Sequence, residues 1–173
     1  MDVLESNSFF LSAEVGGEVF AIVEVDSEFH PRFDCVKKTY EYRFWNAPVK
    51  NPKERLYSTY VQKPLDIDRM NEGAKAFIGT HDFAAFCTNK RMKKSTVRRI
   101  DSIQICREGP EVRITVTGNG FLHNMVRIIT GTLIEVGRGE RSADSIPELF
   151  GGKRAEAGFL APAQGLCLME VFY

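Results

Sequence analysis

The sequence is poor in the side chains from which metal centres and disulfide frameworks are built. Its four cysteines, Cys35, Cys87, Cys106 and Cys167, are scattered without a CxxC pair, and none of its three histidines stands at ligand spacing from them. A structural zinc site or a cross-linked secreted scaffold is therefore not expected, and a reducing cytoplasm is the expected setting. No apolar run approaches the roughly 18–20 residues that span a bilayer, so no membrane segment is expected. The acidic opening, Met1-Asp2-Val3-Leu4-Glu5, is wrong for a secretory signal. Internal repeats, low-complexity tracts and long linkers are absent as well. A chain of 173 residues without them reads as one domain, or one domain with an attached segment.

Basic residues are missing from the start of the chain. Residues 1–29 hold seven acids and no Lys or Arg, so the formal net charge of zero hides an asymmetry. The remainder carries 23 Lys and Arg against 16 acids. Within it, Lys90, Arg91, Lys93, Lys94, Arg98 and Arg99 form a run with no acid between Asp82 and Asp101. Such a run is either a solvated loop or a footprint for a polyanion, since each phosphate neutralised releases counterions.

What is present is ordinary globular material, 43% hydrophobic and 27% charged, enough to bury a core. Phe9–Val25 places two apolar stretches around Gly16-Gly17, the pattern of a hairpin. Thr39–Trp45 (TYEYRFW) is aromatic-rich and reads as a strand, and Pro48, Asn51 and Pro52 then impose a loop. Asp66 is a helix cap ahead of Ile67, Met70, Ala74, Phe77 and Ile78, with Gly79 as the expected terminator. Val97–Cys106 and Val112–Thr117 read as strands joined at Glu108-Gly109-Pro110. A long helix is predicted from about Phe121 to Val136, a short one near Ala143–Phe150, and a closing strand at Leu166–Phe172. The order is β-α-β-β-α-(α)-β. It predicts an α+β sandwich of ferredoxin-like type, an antiparallel sheet with helices packed on one face.

The long helix contains an arginine in an otherwise apolar run. Phe121, Leu122, Met125, Val126, Ile128, Ile129 and Leu133 make a broad apolar surface, whereas Gly120, His123, Asn124, Arg127, Thr130 and Gly131 share the opposite stripe. The glycines of that stripe would let a backbone or a ligand approach closely. Arg127 is then either a solvent-facing residue of an amphipathic helix or a guanidinium held for a carboxylate or phosphate.

The stretch Asn119–Gly137 (NGFLHNMVRIITGTLIEVG) resembles the late helical motif of the tRNA pseudouridine synthase A (TruA) family. Four further motifs agree in order: Phe29–Phe33 (FHPRF), Lys38–Arg43 (KTYEYR), Gly79–Phe83 (GTHDF) with Phe86, and Ala161–Leu166 (APAQGL). The resemblance runs from about Val19 to Tyr173. It implies residues 29–173 as the family's C-terminal domain of the catalytic cleft, preceded by an acidic segment, residues 1–28, with a hairpin and a remnant of a first-domain strand. In that family two similar α/β domains meet over a basic cleft that takes the tRNA anticodon stem-loop. A flipped uridine is isomerised to pseudouridine without metal or cofactor, and the family forms homodimers. The group that attacks is an aspartate in a Gly-Arg-Thr-Asp-type motif of the first domain, and that motif does not occur in this chain.

By the same resemblance, Arg127 is the arginine that pairs with that aspartate, and Tyr40 is the tyrosine that stacks on the flipped base. Leu166 and Leu168 would wall the base pocket. His30, Arg32, Lys90, Arg91, Lys93, Lys94, Arg98 and His123 are candidate RNA contacts. Tyr42 is expected to pack in the core, and Asp82 to shape a turn. Two other readings stay open. One is a non-catalytic RNA-binding module derived from the same domain. The other is a structural partner whose Arg127 meets a carboxylate of another subunit.

Overall fold

The computed structural model describes residues 9–15, 18–31, 33–89 and 94–173. Two units are distinguished: Met1–Cys35 with Tyr173, and Val36–Phe172.

In the smaller unit, β1 (Phe9–Val15) pairs antiparallel with β2 (Glu18–Val25), the expected hairpin; its Gly16-Gly17 turn lies outside the described residues. Beyond it, Asp26 accepts the backbone N–H of Glu28, and the rings of Phe29 and Tyr173 meet edge-on at 5.0 Å.

The larger unit is organised by β3 (Lys37–Asn46). Tyr42, Phe44 and Asn46 are buried while the residues between them are half-exposed, the period of two expected of a strand with one face inward. The further elements are β4 (Thr59–Val61), α1 (Ile67–Lys75), β5 (Gly79–Asp82), β6 (Val97–Glu108), β7 (Glu111–Gly118), α2 (Met125–Gly137) and β8 (Leu166–Phe172). Among the described residues one sheet of six strands forms in the order β4-β3-β7-β6-β5, with β8 also on β3. The skeleton β3-α1-β6-β7-α2-β8 is the predicted β-α-β-β-α-β, and its strands lie side by side as β8-β3-β7-β6.

Three departures from the sequence reading have local causes. The sheet is mixed rather than antiparallel, because β4 runs parallel to β3 at Phe44–Asn46; a three-residue strand is too short to leave a periodic trace. Helix α1 begins as expected, with Asp66 Oδ1 accepting the Arg69 N–H at 3.0 Å. It ends at Lys75, however, and Gly79, with φ 109°, opens β5 instead of closing the helix. Helix α2 begins at Met125 rather than Phe121, since Asn124 takes a left-handed backbone (φ 65°, ψ 10°) that cannot propagate an α-helix.

Helix α2 is also buried nearly all round. The C-terminal end of the stripe assigned to solvent or ligand is covered: Thr130 and Gly131 are buried, and the stretch after Ala157 lies against Gly131. A Cβ at Gly131 would come within 1.9 Å of Phe159 O, and one at Gly158 within 2.4 Å of Thr132 N. The close approach expected at Gly131 is thus made by this chain's own backbone. Gly120, by contrast, faces only Arg98, at 3.9 Å. Among the described residues, no helix is long and apolar enough to cross a membrane.

Candidate active-site face

Strand alternation puts Tyr40 and Tyr42 on the same face of β3, the face covered by α2. In the antiparallel register with β8, Leu168 stands opposite Tyr40 and Leu166 opposite Tyr42, so both leucines share that face. The Tyr40 ring is half-buried and meets Phe121 edge-on at 5.2 Å. Leu166 packs against the core, whereas Leu168 is 47% exposed. A partly open apolar wall beside an accessible tyrosine ring results.

Tyr42 has a different part. Its ring is completely buried, as expected, but its hydroxyl is tied in place. It donates to Pro162 O at 2.6 Å and lies 2.6 Å from Thr59 Oγ1. Burial holds this hydroxyl protonated and raises its pKa above 10.0; the Thr59 hydrogen bond and the nearby positive charge of Arg127 oppose that shift.

Arg127 is held through the next carbonyl along. Its Nε–H donates to Ala161 O at 2.6 Å, its Nη1 donates to Asn124 Oδ1 at 2.9 Å, and its own carbonyl accepts from Ala161 N at 3.3 Å. Tyr42 and Arg127, 85 positions apart in sequence, are therefore both fastened to the dipeptide Ala161-Pro162. Both acceptors of the guanidinium are neutral. Among the described residues no carboxylate oxygen comes within the 4.0 Å of an ion pair with Arg127, although the residue is partly buried. A half-buried guanidinium with only neutral partners keeps its full charge available for an anion.

One turn before Arg127, a small polar network closes the site. His123 Nδ1 lies 2.7 Å from Thr88 Oγ1, and Asn124 Nδ2 donates to the same hydroxyl at 2.8 Å. The Thr88 N–H reaches His123 O at 3.3 Å.

The other candidates are distributed more widely. His30 belongs to the smaller unit, where its N–H donates to Asp34 Oδ2 at 2.6 Å and its ring packs on Phe33. Arg32, Lys90, Arg91 and Lys93 lie outside the described residues. Lys94 is exposed, whereas Arg98 turns back on its own strand, its Nη1 donating to Ser95 O and Val97 O. Asp82 binds its own turn, Oδ1 accepting from Ala84 N at 3.0 Å and from Thr96 Oγ1 at 2.5 Å. Thr59, Thr88 and the carbonyls of Ala161 and Pro162 had no signal in the sequence. The one available hint was the Ala161–Leu166 motif, which marked the right segment without its role. Among the described residues no cluster of three or more His, Cys, Asp or Glu is arranged to hold a metal.

Fold and local geometry together define an α+β protein with a half-buried arginine near the buried Tyr42 hydroxyl and a half-exposed Tyr40 on the same face of β3. Residues 74–173 match the family described as tRNA pseudouridine synthase, and the chain belongs to that family. It is 49% identical over 152 residues to tRNA pseudouridine synthase A of Geotalea uraniireducens (strain Rf4), covering 87% of this chain and 62% of that protein. To tRNA pseudouridine synthase A 2 of Clostridium tetani (strain Massachusetts / E88) it is 50% identical over 151 residues, 87% of this chain and 61% of the relative. To tRNA pseudouridine synthase A of Pelobacter propionicus (strain DSM 2379 / NBRC 103807 / OttBd1) it is 44% identical over 178 residues, 97% of this chain and 73% of the relative. The chain thus spans about three fifths of the length of the first two.

Proposed function

We propose that this chain supplies the C-terminal half of the cleft of a tRNA uridine-to-pseudouridine isomerase. The carrying observation is Arg127: a half-buried guanidinium, fixed by neutral acceptors, with no carboxylate at ion-pair distance among the described residues, near the Tyr42 hydroxyl. An aspartate supplied by a first domain would complete the pair. The arginine would keep that carboxylate ionised and so able to attack the ribose. Isomerisation breaks the N1–C1′ bond, forms a C5–C1′ bond and releases the C5 proton. The Tyr40 ring would stack on the extruded uracil while its hydroxyl takes part in moving that proton. Leu166 and Leu168 would keep water from the reacting sugar. The substrate is the anticodon arm of tRNA, with Lys90, Arg91, Lys93, Lys94, Arg98 and His123 on its phosphates, His30 and Arg32 as further contacts, and a homodimer as the working assembly.

Tritium release from tRNA labelled at uridine C5 tests this. Release is expected when a first domain carrying the Gly-Arg-Thr-Asp aspartate is supplied, and not from the chain alone. Release by the chain alone would remove the need for the aspartate. Failure to bind tRNA at low salt would remove the reading altogether. A second reading is a non-catalytic RNA-binding module derived from the same domain. Salt-dependent tRNA binding without turnover, even beside a first domain, would select it.

A further inference from the structure

We infer that Asn124 is the positioning residue that orients the Arg127 guanidinium, with Thr88 as its anchor; the inference rests on the reading of Arg127 as the site's cation. Asn124 stands at the N-terminal boundary of α2, where an Asn is ordinarily explained by its side chain capping the helix's own N–H groups. Here the side chain makes no capping bond. Both ends of the amide are used otherwise: Oδ1 accepts from Arg127 Nη1 at 2.9 Å, and Nδ2 donates to Thr88 Oγ1 at 2.8 Å. Arg127 settles which way the amide faces, because a guanidinium only donates and must meet the amide oxygen, which leaves the amide nitrogen for the Thr88 hydroxyl.

The backbone points the same way. Asn124 is the non-glycine residue with positive φ among the described residues, a conformation that is unfavourable for most L side chains. Asn tolerates it better than other side chains, and from it the amide reaches Arg127 one turn along while still meeting Thr88. A guanidinium on a flexible stem loses rotamer entropy when fixed. With Nε on Ala161 O and Nη1 on Asn124 Oδ1, the planar fork is anchored at two points before any anion arrives. An amide does this without neutralising the charge, which an aspartate at position 124 would do.

The test is proton–nitrogen NMR of the arginine side chains in this chain, which needs neither RNA nor a first domain. In the wild type, the Arg127 Nε–H is expected to be protected and its Nη protons to be resolved. Asn124→Gly keeps the left-handed backbone at no steric cost but deletes both amide bonds; the Arg127 Nη signals should average while the remaining amide spectrum is unchanged. Thr88→Val should loosen Arg127 in the same way and Thr88→Ser should restore the wild-type pattern. If Asn124→Gly does not fold, the Thr88 pair decides by itself. Arg127 signals as ordered as wild type in both Asn124→Gly and Thr88→Val would overturn the inference. Where the wild type turns over beside a first domain, Asn124→Gly should lower kcat on the order of a hundredfold with KM little changed; unchanged kcat would overturn it equally. A wild type that does not turn over counts against the isomerase reading, and the NMR result still decides this one.

Discussion

At the scale of single residues the site is a matter of which charges are left unneutralised. Arg127 donates to two neutral oxygens, and replacing it by lysine substitutes one compact ammonium for a planar fork. Arg127→Lys beside a first domain is therefore expected to lose turnover by on the order of a hundredfold while its melting temperature stays close to wild type. Turnover within a few-fold of wild type would remove the role given to the fork. Tyr42 is the residue whose titration reports on the same spot. Its hydroxyl is held protonated by burial, so the unfolded chain releases this proton first as pH rises. Its contribution to stability is complete below about pH 10 and is lost as pH climbs through the raised folded value. Absorbance titration at 295 nm should show a late-ionising tyrosine component that vanishes in Tyr42→Phe. The same substitution strips Thr59 and Pro162 O of their partner and should cost about 1–3 kcal/mol in denaturant unfolding.

At the scale of elements, the decisive contact is between α2 and the extended stretch from Ala157 to Pro162. Backbone touches backbone at Gly131 and Gly158, and from that contact hang the carbonyls that hold Arg127 and Tyr42. Gly131→Ala would drive a methyl group into Phe159 O, so the strap must lift. The expected penalty is about 1–3 kcal/mol, read by thermal or denaturant unfolding, together with loss of the ordered Arg127 side chain. Gly120→Ala, where the nearest neighbour is a flexible arginine stem at 3.9 Å, should be close to neutral. Equal penalties for the two would mean that the strap is not the constraint.

At the scale of the whole molecule, charge is distributed rather than abundant. The chain sums to zero, yet its acids crowd the first 29 residues and its bases dominate the remainder. If about four phosphates are neutralised by that basic remainder, tRNA affinity should fall on the order of a hundredfold between 50 and 200 mM salt. Fluorescence anisotropy with an anticodon-arm RNA measures this, and a flat salt response would contradict a phosphate footprint. Removing residues 1–18 tests whether the acidic start shields those bases. Tighter binding is expected if it does, and unchanged affinity would sink the idea.

The sequence by itself determined what is encoded within a few residues. The alternation from Thr39 to Trp45, the Asp66 cap, the hairpins, and the order of the skeleton β3-α1-β6-β7-α2-β8 were legible, because each depends on side chains adjacent along the chain, whereas the short strands β4 and β5 were not. The motifs likewise pointed to the family. Only the tertiary structure decided what Arg127 touches. Its partner carbonyl lies 34 residues away, the Thr88 that anchors Asn124 lies 36 residues away, and Tyr42 reaches across 120 residues to Pro162. Those partners are a backbone oxygen, a hydroxyl and a strap without periodicity. None of them carries a local preference, and they acquire a role only when packing brings them to one place.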